Sequence, residues 1–293
     1  MIYLILSILS STSIYIIFKI LHKFKINTFD VIIINYITAA ILGLFLTEIE
    51  FKLSSIYNYA WFPYSIIIGI SFILMFVVIA KSTQHVGIAI TTVSNKMSVI
   101  IPIAFSIIID PFDILSNLKF LGILLAILAV FLTVYKKRKI DFVAKDIYLP
   151  IILFLGMGIV DSLVKYSQHN FVNDNNLALF TIVLFLMAAI AGLTTKILRK
   201  TSFKELLNYK VILWGLLLGI SNYGSIYFII KALNYKNDLG NTFDGSIVFG
   251  INNIGIVITS VIIGVIVFKE KLSKINLIGI FISIIAIYVL SNS

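Results

Sequence analysis

The chain alternates long apolar runs with short polar ones, and the apolar runs are close to one length. A helix rising 1.5 Å per residue needs roughly 17–25 apolar residues to cross a bilayer. Ten such runs predict ten transmembrane helices, at 2–21, 29–47, 61–82, 86–109, 118–135, 147–169, 177–198, 211–234, 246–268 and 274–291. Only 48–60, 136–146, 196–210 and 232–245 offer loops of any size, which leaves no room for a soluble domain. The period-two alternation of a membrane barrel is absent. The first run has no basic residues ahead of it and no small-residue cleavage site after it, so it is expected to stay as a span.

The run at 86–109 breaks this pattern most sharply. It carries Asn95 and Lys96 near its middle and Pro102 shortly after. Lys96 lies ~15 Å from either end, too deep for its side chain to reach the interface. Burying its charge costs on the order of 3 kcal/mol or more, so it demands a partner or a wet cavity. Thr91, Asn95 and Ser98 share one helical face, with Thr92 and Lys96 beside them. Pro102 cannot donate to the Ser98 carbonyl, so a kink is expected one turn after Lys96, aiming a free carbonyl and a cation into one space.

Composition agrees with the pattern. Of 293 residues, 60% are hydrophobic and 12% charged, a balance outside that of soluble domains. There is no cysteine, and the three histidines, His22, His85 and His169, fit no metal spacing, so neither cofactor nor metal is expected. The net charge of +10 reflects lysines clustered in loops rather than a nucleic-acid surface, and no nucleic-acid partner is expected. Loops after odd-numbered spans hold 17 of the lysines and arginines against 5 on the other side. The positive-inside rule makes the richer side cytoplasmic and puts both termini outside. The expectation is a multi-pass protein of the cell inner (cytoplasmic) membrane, a monomer or homodimer whose other partners are lipid and a small molecule.

The chain also repeats itself. A shift of 157 positions lays Asn95 on Asn252, Asp113 on Glu270, Leu115 and Ser116 on Leu272 and Ser273, and Gly122 on Gly279. A shift near 146 lays Lys19 on Lys165. Slightly further along, the stretch from Ala39 to Leu44 matches that from Ala188 to Leu193. Two halves, 1–140 and 141–293, therefore carry five spans each, and an odd number forces the second to enter the membrane inverted. The expected fold class is all-α integral membrane, ten helices in two inverted five-helix repeats, an architecture used by secondary transporters with a site at the midplane.

Each half ends in an acid-x-Leu-Ser-x-x-x-x-x-Gly stretch, Asp113 to Gly122 and Glu270 to Gly279. In this the chain resembles the drug/metabolite transporter superfamily, in particular its EamA-type members, over nearly its whole length. Phe268-Lys269-Glu270-Lys271-Leu272-Ser273 is similar to that family's signature. Asp110-Pro111-Phe112-Asp113 departs from it in lacking a glycine-glutamate pair, and Thr259 stands where a proline is common. The resemblance implies that spans 1, 3, 4, 6, 8 and 9 line a central cavity, that spans 5 and 10 are peripheral, and that both termini are cytoplasmic. On this last point the charge count says the opposite and is preferred.

Candidate substrate-binding residues are Lys96, Asn95, Asn252, Asn253, Asn222, Tyr223 and Tyr227, set mid-span where amides, hydroxyls and a cation suit a small polar or anionic molecule. The alternative for Lys96 is a structural ion pair, and for the amides helix-to-helix hydrogen bonds. Asp161 and Lys165, four apart on span 6, are candidates for proton coupling or a same-helix pair, and Asp161 can instead face Lys96. Lys165, whose counterpart in the first half is Lys19, then merely marks the span's end. Ser7, Ser10 and Ser11, and the Gly215/Gly219 pair, read as helix packing. Asp113 and Glu270 read as caps or loop tethers, and the basic run 136–139 as a topological anchor.

These features favour a secondary transporter, exporter or exchanger, of a small polar metabolite such as an amino acid or organic anion, working by alternating access. A lipid-headgroup flippase or a drug efflux protein uses the same parts. A channel lacks a ring of charge or filter motif. An intramembrane prenyl or acyl transferase lacks clustered acids or a placed histidine, so no enzyme activity is expected. No Gly-x-x-x-x-Gly-Lys-[Ser/Thr] motif is present to drive transport by ATP.

Overall fold

The computed structural model describes residues 2–46, 53–109, 115–135, 146–173, 176–235 and 245–292. Among these residues the secondary structure is entirely helical: α1 (Ile2–Lys23), α2 (Thr28–Leu46), α3 (Phe62–His85), α4 (Ile88–Met97), α5 (Ile100–Ile109), α6 (Asn117–Val134), α7 (Tyr148–Phe171), α8 (Leu177–Leu198), α9 (Tyr209–Leu233), α10 (Gly245–Ile266) and α11 (Lys274–Ser291). Two single turns, Leu53–Asn58 and Phe203–Leu207, lie between them. Ten segments are long and apolar enough to cross a membrane, with α4 and α5 together forming one of them, Ile88–Ile108. Their boundaries agree with the apolar runs to within about three residues. Large apolar side chains such as Phe120, Leu124 and Phe131 of α6 and Phe281 and Tyr288 of α11 are exposed, as they must be where lipid rather than water is the solvent. The chain is a helical multi-pass membrane protein.

Helix ends follow local chemistry. Asn27 caps α2, its Oδ1 accepting from the amides of Phe29 and Asp30 at 3.1 and 3.3 Å. Ser116 caps α6, and Ser273 with Asn276 forms a reciprocal capping box on α11. Just beyond α1, α8 and α10 the chain turns through a left-handed residue, and each time that residue is a lysine: Lys25, Lys200 and Lys269, with φ of 53°, 52° and 54°. The turn lets Ile26, Thr201 and Glu270 return their amides to the carbonyls of Leu21, Lys196 and Gly264.

The helices form two compact units. Unit 1 comprises Met1–Lys19, Val78–Gly158 and Gly224–Ser293, and unit 2 comprises Ile20–Val77 and Ile159–Tyr223. Each draws segments from both halves of the chain.

In unit 1, α6 and α11 run antiparallel. A β-carbon placed on Gly122 would stand 2.6 Å from Leu290, and one on Gly279 would stand 2.5 Å from Thr133. The two contacts are reciprocal, because the shift of 157 that carries Gly122 to Gly279 also carries Thr133 to Leu290. Asn276 closes one end of this pair, its Nδ2 donating to the carbonyls of Thr133 and Tyr135 at 2.7 and 3.0 Å in the last turn of α6. Against α6 and α11 pack α4 and α10, sharing a core of Val93, Met97, Ala126, Ala129, Val257 and Ile287.

In unit 2, α2 and α8 make the equivalent pair. A β-carbon on Gly43 would lie 2.7 Å from Ile182, and one on Gly192 would lie 2.7 Å from Ile33. Here a shift of 149 relates both partners, the same shift that aligns the matching Ala39–Leu44 and Ala188–Leu193 stretches. Gly215 and Gly219 of α9 press against Ile34 and Thr38 of α2, the close packing expected of them. A second core gathers around the fully buried Trp61, which stacks on Tyr59 at 4.9 Å and meets Phe180 edge-on at 5.5 Å.

Candidate functional site

The span containing Lys96 is broken where Pro102 requires. Helix α4 stops at Met97, the chain turns at Ser98 and Val99, and α5 begins at Ile100. The Ser98 carbonyl is not left free, however. It accepts from the Ile101 amide at 3.0 Å, a tighter three-residue bond that takes the place of the one Pro102 cannot make. The Ser98 hydroxyl in turn donates to the Asn95 carbonyl at 2.5 Å. The expected free carbonyl is thus withdrawn, and the polarity at the break comes from side chains. Lys96, half-buried, stands in the last turn of α4, where a cation is favoured by the helix dipole.

Asn95 reaches across to α1. Its Nδ2 donates to the Tyr15 hydroxyl at 2.7 Å, and Tyr15 is buried. Thr92 stands beside the Tyr15 hydroxyl, and in the same unit the Thr12 hydroxyl on α1 and the Ser94 hydroxyl on α4 are buried without a hydrogen-bond partner among the described residues. On α10, Asn252 is only 6% exposed and its Oδ1 is also without a donor. Unsatisfied buried polar atoms cost about 1–3 kcal/mol each and are few in native proteins. Thr91 is different: its hydroxyl is engaged both with Ser82 and with the Gly87 carbonyl, each at 2.7 Å.

The remaining candidates are distributed as follows. Asn253 is half-buried on α10, whose Gly255 meets Ile8 of α1 and whose Thr259 hydroxyl returns to the Gly255 carbonyl. Tyr227 lies under the Lys231 ammonium, 5.5 Å from its ring centre. Within unit 2, the Asn222 amide stands 3.2 Å from that of the buried Asn35, a helix-to-helix contact, and Tyr223 touches the wall formed at Gly43. Asp161 is half-buried on α7. Lys165, a turn further on, is exposed and lines a cavity of ≈ 380 Å³ with Gln168, His169, Val172, Asn173 and Leu177. Ser7 donates to the Ser225 carbonyl at 3.0 Å, and Ser10 faces Gly224, so this stripe is helix packing. Asp110, Asp113 and the basic run 136–139 lie outside the described residues.

What holds α4 in place was not read from the sequence. The Glu270 carboxylate inserts at the first turn of α4, accepting from the amides of Ile88 and Ala89 at 2.8 and 3.3 Å. Lys19 of α1 pairs with it at 3.1 Å and donates to the Thr83 carbonyl at 3.1 Å. Room for the carboxylate exists because Gly87, at φ 122°, and Gly264 have no side chains; β-carbons there would stand 2.9 and 2.7 Å from its oxygen. Glu270 is therefore a cap, but of a distant helix rather than of its own loop, and Lys19 is its counter-charge.

A second ion pair was missed altogether. Asp30 in the first turn of α2 and Lys196 in the last turn of α8 meet at 2.6 Å, with 0% and 2% of their side chains exposed. Lys196 was counted among loop charges in the orientation argument, and it belongs inside a helix. The signal was present: both charges fall within apolar runs. Among the described residues no group of three or more metal-ligating side chains occurs.

No family model matches the chain. It is similar to a protein of Haemophilus influenzae described only as an uncharacterized protein, 29% identical over 295 residues, covering 98% of this chain and 96% of the relative.

Proposed function

We propose that the chain is a secondary transporter of a small polar metabolite, an amino acid or organic anion, built on the inverted-repeat plan of the EamA-type drug/metabolite transporters and working by alternating access. The observation that carries the reading is the polar wall of α4. A lysine and an asparagine stand in mid-membrane beside a helix break, with Tyr15 hydrogen-bonded to the asparagine and unsatisfied hydroxyls and an amide oxygen in the same unit. In this reading Lys96 holds the anionic group, while Asn95, Asn252 and Asn253 recognise the rest. Tyr227, Asn222 and Tyr223 remain candidates, as do Asp161 and Lys165 for proton coupling, on the ground of their position in the sequence.

The inverted repeat is supported by the two reciprocal glycine contacts, which a pseudo-twofold axis between antiparallel equivalents would generate. The test is a thermal-shift screen in detergent against amino acids, organic acids, phosphorylated metabolites, lipophilic cations and phospholipids. A substrate at a hundred times its Kd adds ~2.7 kcal/mol. Stabilisation by an anionic metabolite that is lost in Lys96→Ala supports the reading and names the substrate class. Stabilisation only by cations or phospholipid, unchanged in Lys96→Ala, overturns it in favour of efflux or lipid translocation.

A further inference from the structure

The last turns of α7 and the start of α8 border an open cavity of ≈ 380 Å³ within unit 2, lined by Lys165, Gln168, His169, Val172, Asn173 and Leu177. Small-molecule sites run from about 300 to 1,000 Å³, so a guest fits. The polar part of the lining consists of donors. Lys165 brings an ammonium, Gln168 and Asn173 bring side-chain amides, and the His169 ring can donate from a nitrogen. The Asn173 amide is oriented by its own loop: its Oδ1 accepts from the Asn176 backbone amide at 3.1 Å, so the group left for a guest is Nδ2, a donor. Among the described residues no carboxylate lines the cavity and none pairs with Lys165. Asp174 lies outside the described residues.

The position of the cavity narrows the guest. Lys165 is six residues, or ~9 Å, from Phe171 at the end of α7. At that end Tyr64 of α3 gathers with Tyr166 and Phe171 of α7, the ring centres 5.1 to 5.9 Å apart. Tyrosines in spans concentrate at the headgroup level of a bilayer. The cavity therefore opens where lipid headgroups and dissolved anions both reach. The loop beyond α7 follows an even-numbered span and belongs to the lysine-poor side, 5 against 17, so Lys165 is not among the charges that anchor topology. Leu177 opens α8, whose first turn no side chain caps, and the dipole of that helix adds to the same positive sign.

We propose that this cavity binds a phosphate group, with Lys165 as its counter-charge and Gln168, His169 and Asn173 as donors to its oxygens. A phosphate presents at least three oxygens, all acceptors, and so matches four donors of which one is a cation. A carboxylate, with two oxygens, leaves part of that set idle. A lipid headgroup and a free phosphate bring the same chemistry. The inference stands on the cavity and is independent of the transporter reading.

The experiment is thermal unfolding of the purified protein in an uncharged detergent, titrated with inorganic phosphate or with dihexanoyl phosphatidylglycerol at constant ionic strength. Wild type, Lys165→Gln, Gln168→Leu and Lys204→Gln are compared, the last removing an exposed charge elsewhere in the same unit. The expected result is a saturable rise in unfolding temperature for the wild type and Lys204→Gln. The midpoint should lie about tenfold higher in Lys165→Gln and about threefold higher in Gln168→Leu. Saturation by inorganic phosphate assigns the site to a soluble anion, and saturation by the lipid alone assigns it to a headgroup; either supports the proposal. No saturable rise with either compound overturns it, as does a midpoint unchanged in Lys165→Gln or raised equally in Lys204→Gln. Gln168→Leu keeps every charge and decides the matter where Lys165→Gln fails to fold: an unchanged midpoint there overturns the proposal.

Discussion

Glu270 in unit 1 and Asp30 in unit 2 are both carboxylates drawn out of water, and each faces a lysine. Glu270, 9% exposed, receives the Lys19 ammonium and two backbone amides at a helix start, so both of its oxygens have donors. Asp30, fully buried, receives Lys196 on one oxygen, and among the described residues its second oxygen has no hydrogen-bond donor. The chemistry of the pair is the same; the supply of donors differs. A carboxylate fed by amides and a lysine acts as a rivet between α1, α4 and α10. A carboxylate short of donors rests on its lysine.

The comparison is broken most severely at Glu270. Glu270→Ala leaves Lys19 without its counter-charge and two amides of α4 without an acceptor, and should cost about 3–5 kcal/mol. Glu270→Gln keeps one acceptor and should cost less than half as much. Thermal unfolding in detergent reads both; equal losses for the two variants would mean that filling the space, not the charge, is what matters.

The two lysines give the sharper contrast. Lys196→Met takes the ammonium from the buried Asp30 carboxylate and should cost about 3 kcal/mol. Lys19→Met leaves Glu270 with its two amide donors and should cost about 1 kcal/mol. Thermal unfolding of both variants in detergent checks this, and equal losses would erase the distinction between the sites.

The smallest effect concerns the helix ends beside the two sites. Lys200 follows α8, which carries Lys196, and Lys269 directly precedes Glu270; both are left-handed. Glycine at either position removes a steric penalty of about 1 kcal/mol, offset in part by greater freedom of the unfolded chain. Lys200→Gly and Lys269→Gly should therefore each raise the unfolding temperature slightly and by similar amounts. A loss at Lys269 alone would show that its side chain serves the Glu270 site.

The ten helices were legible because a bilayer offers no other way to satisfy the backbone. Pro102 announced the break in the fourth span for a similarly local reason, and the Gly215/Gly219 pair announced a close helix contact. The Ser98 carbonyl was misjudged because a three-residue bond can replace a four-residue one, which no residue type signals. Asp30 and Lys196 were visible as charges inside apolar runs, yet one went unnoticed and the other was assigned to a loop, because the run boundary at 198 lies within a turn of Lys196. Glu270 looked like a residue of its own loop because its role depends on an α4 amide pair 182 and 181 positions away.

By itself, then, the sequence determined the ten segments apolar and long enough to cross a membrane among the described residues, their ends and the break after Met97, all of which follow from local hydrophobicity and backbone chemistry. Only the tertiary structure decided which charges meet. Asp30 and Lys196 are separated by 166 positions, and a carboxylate's choice between amides and a lysine depends on donors brought in by other helices. That choice is what separates a carboxylate with donors on both oxygens from one that a lysine holds by a single oxygen.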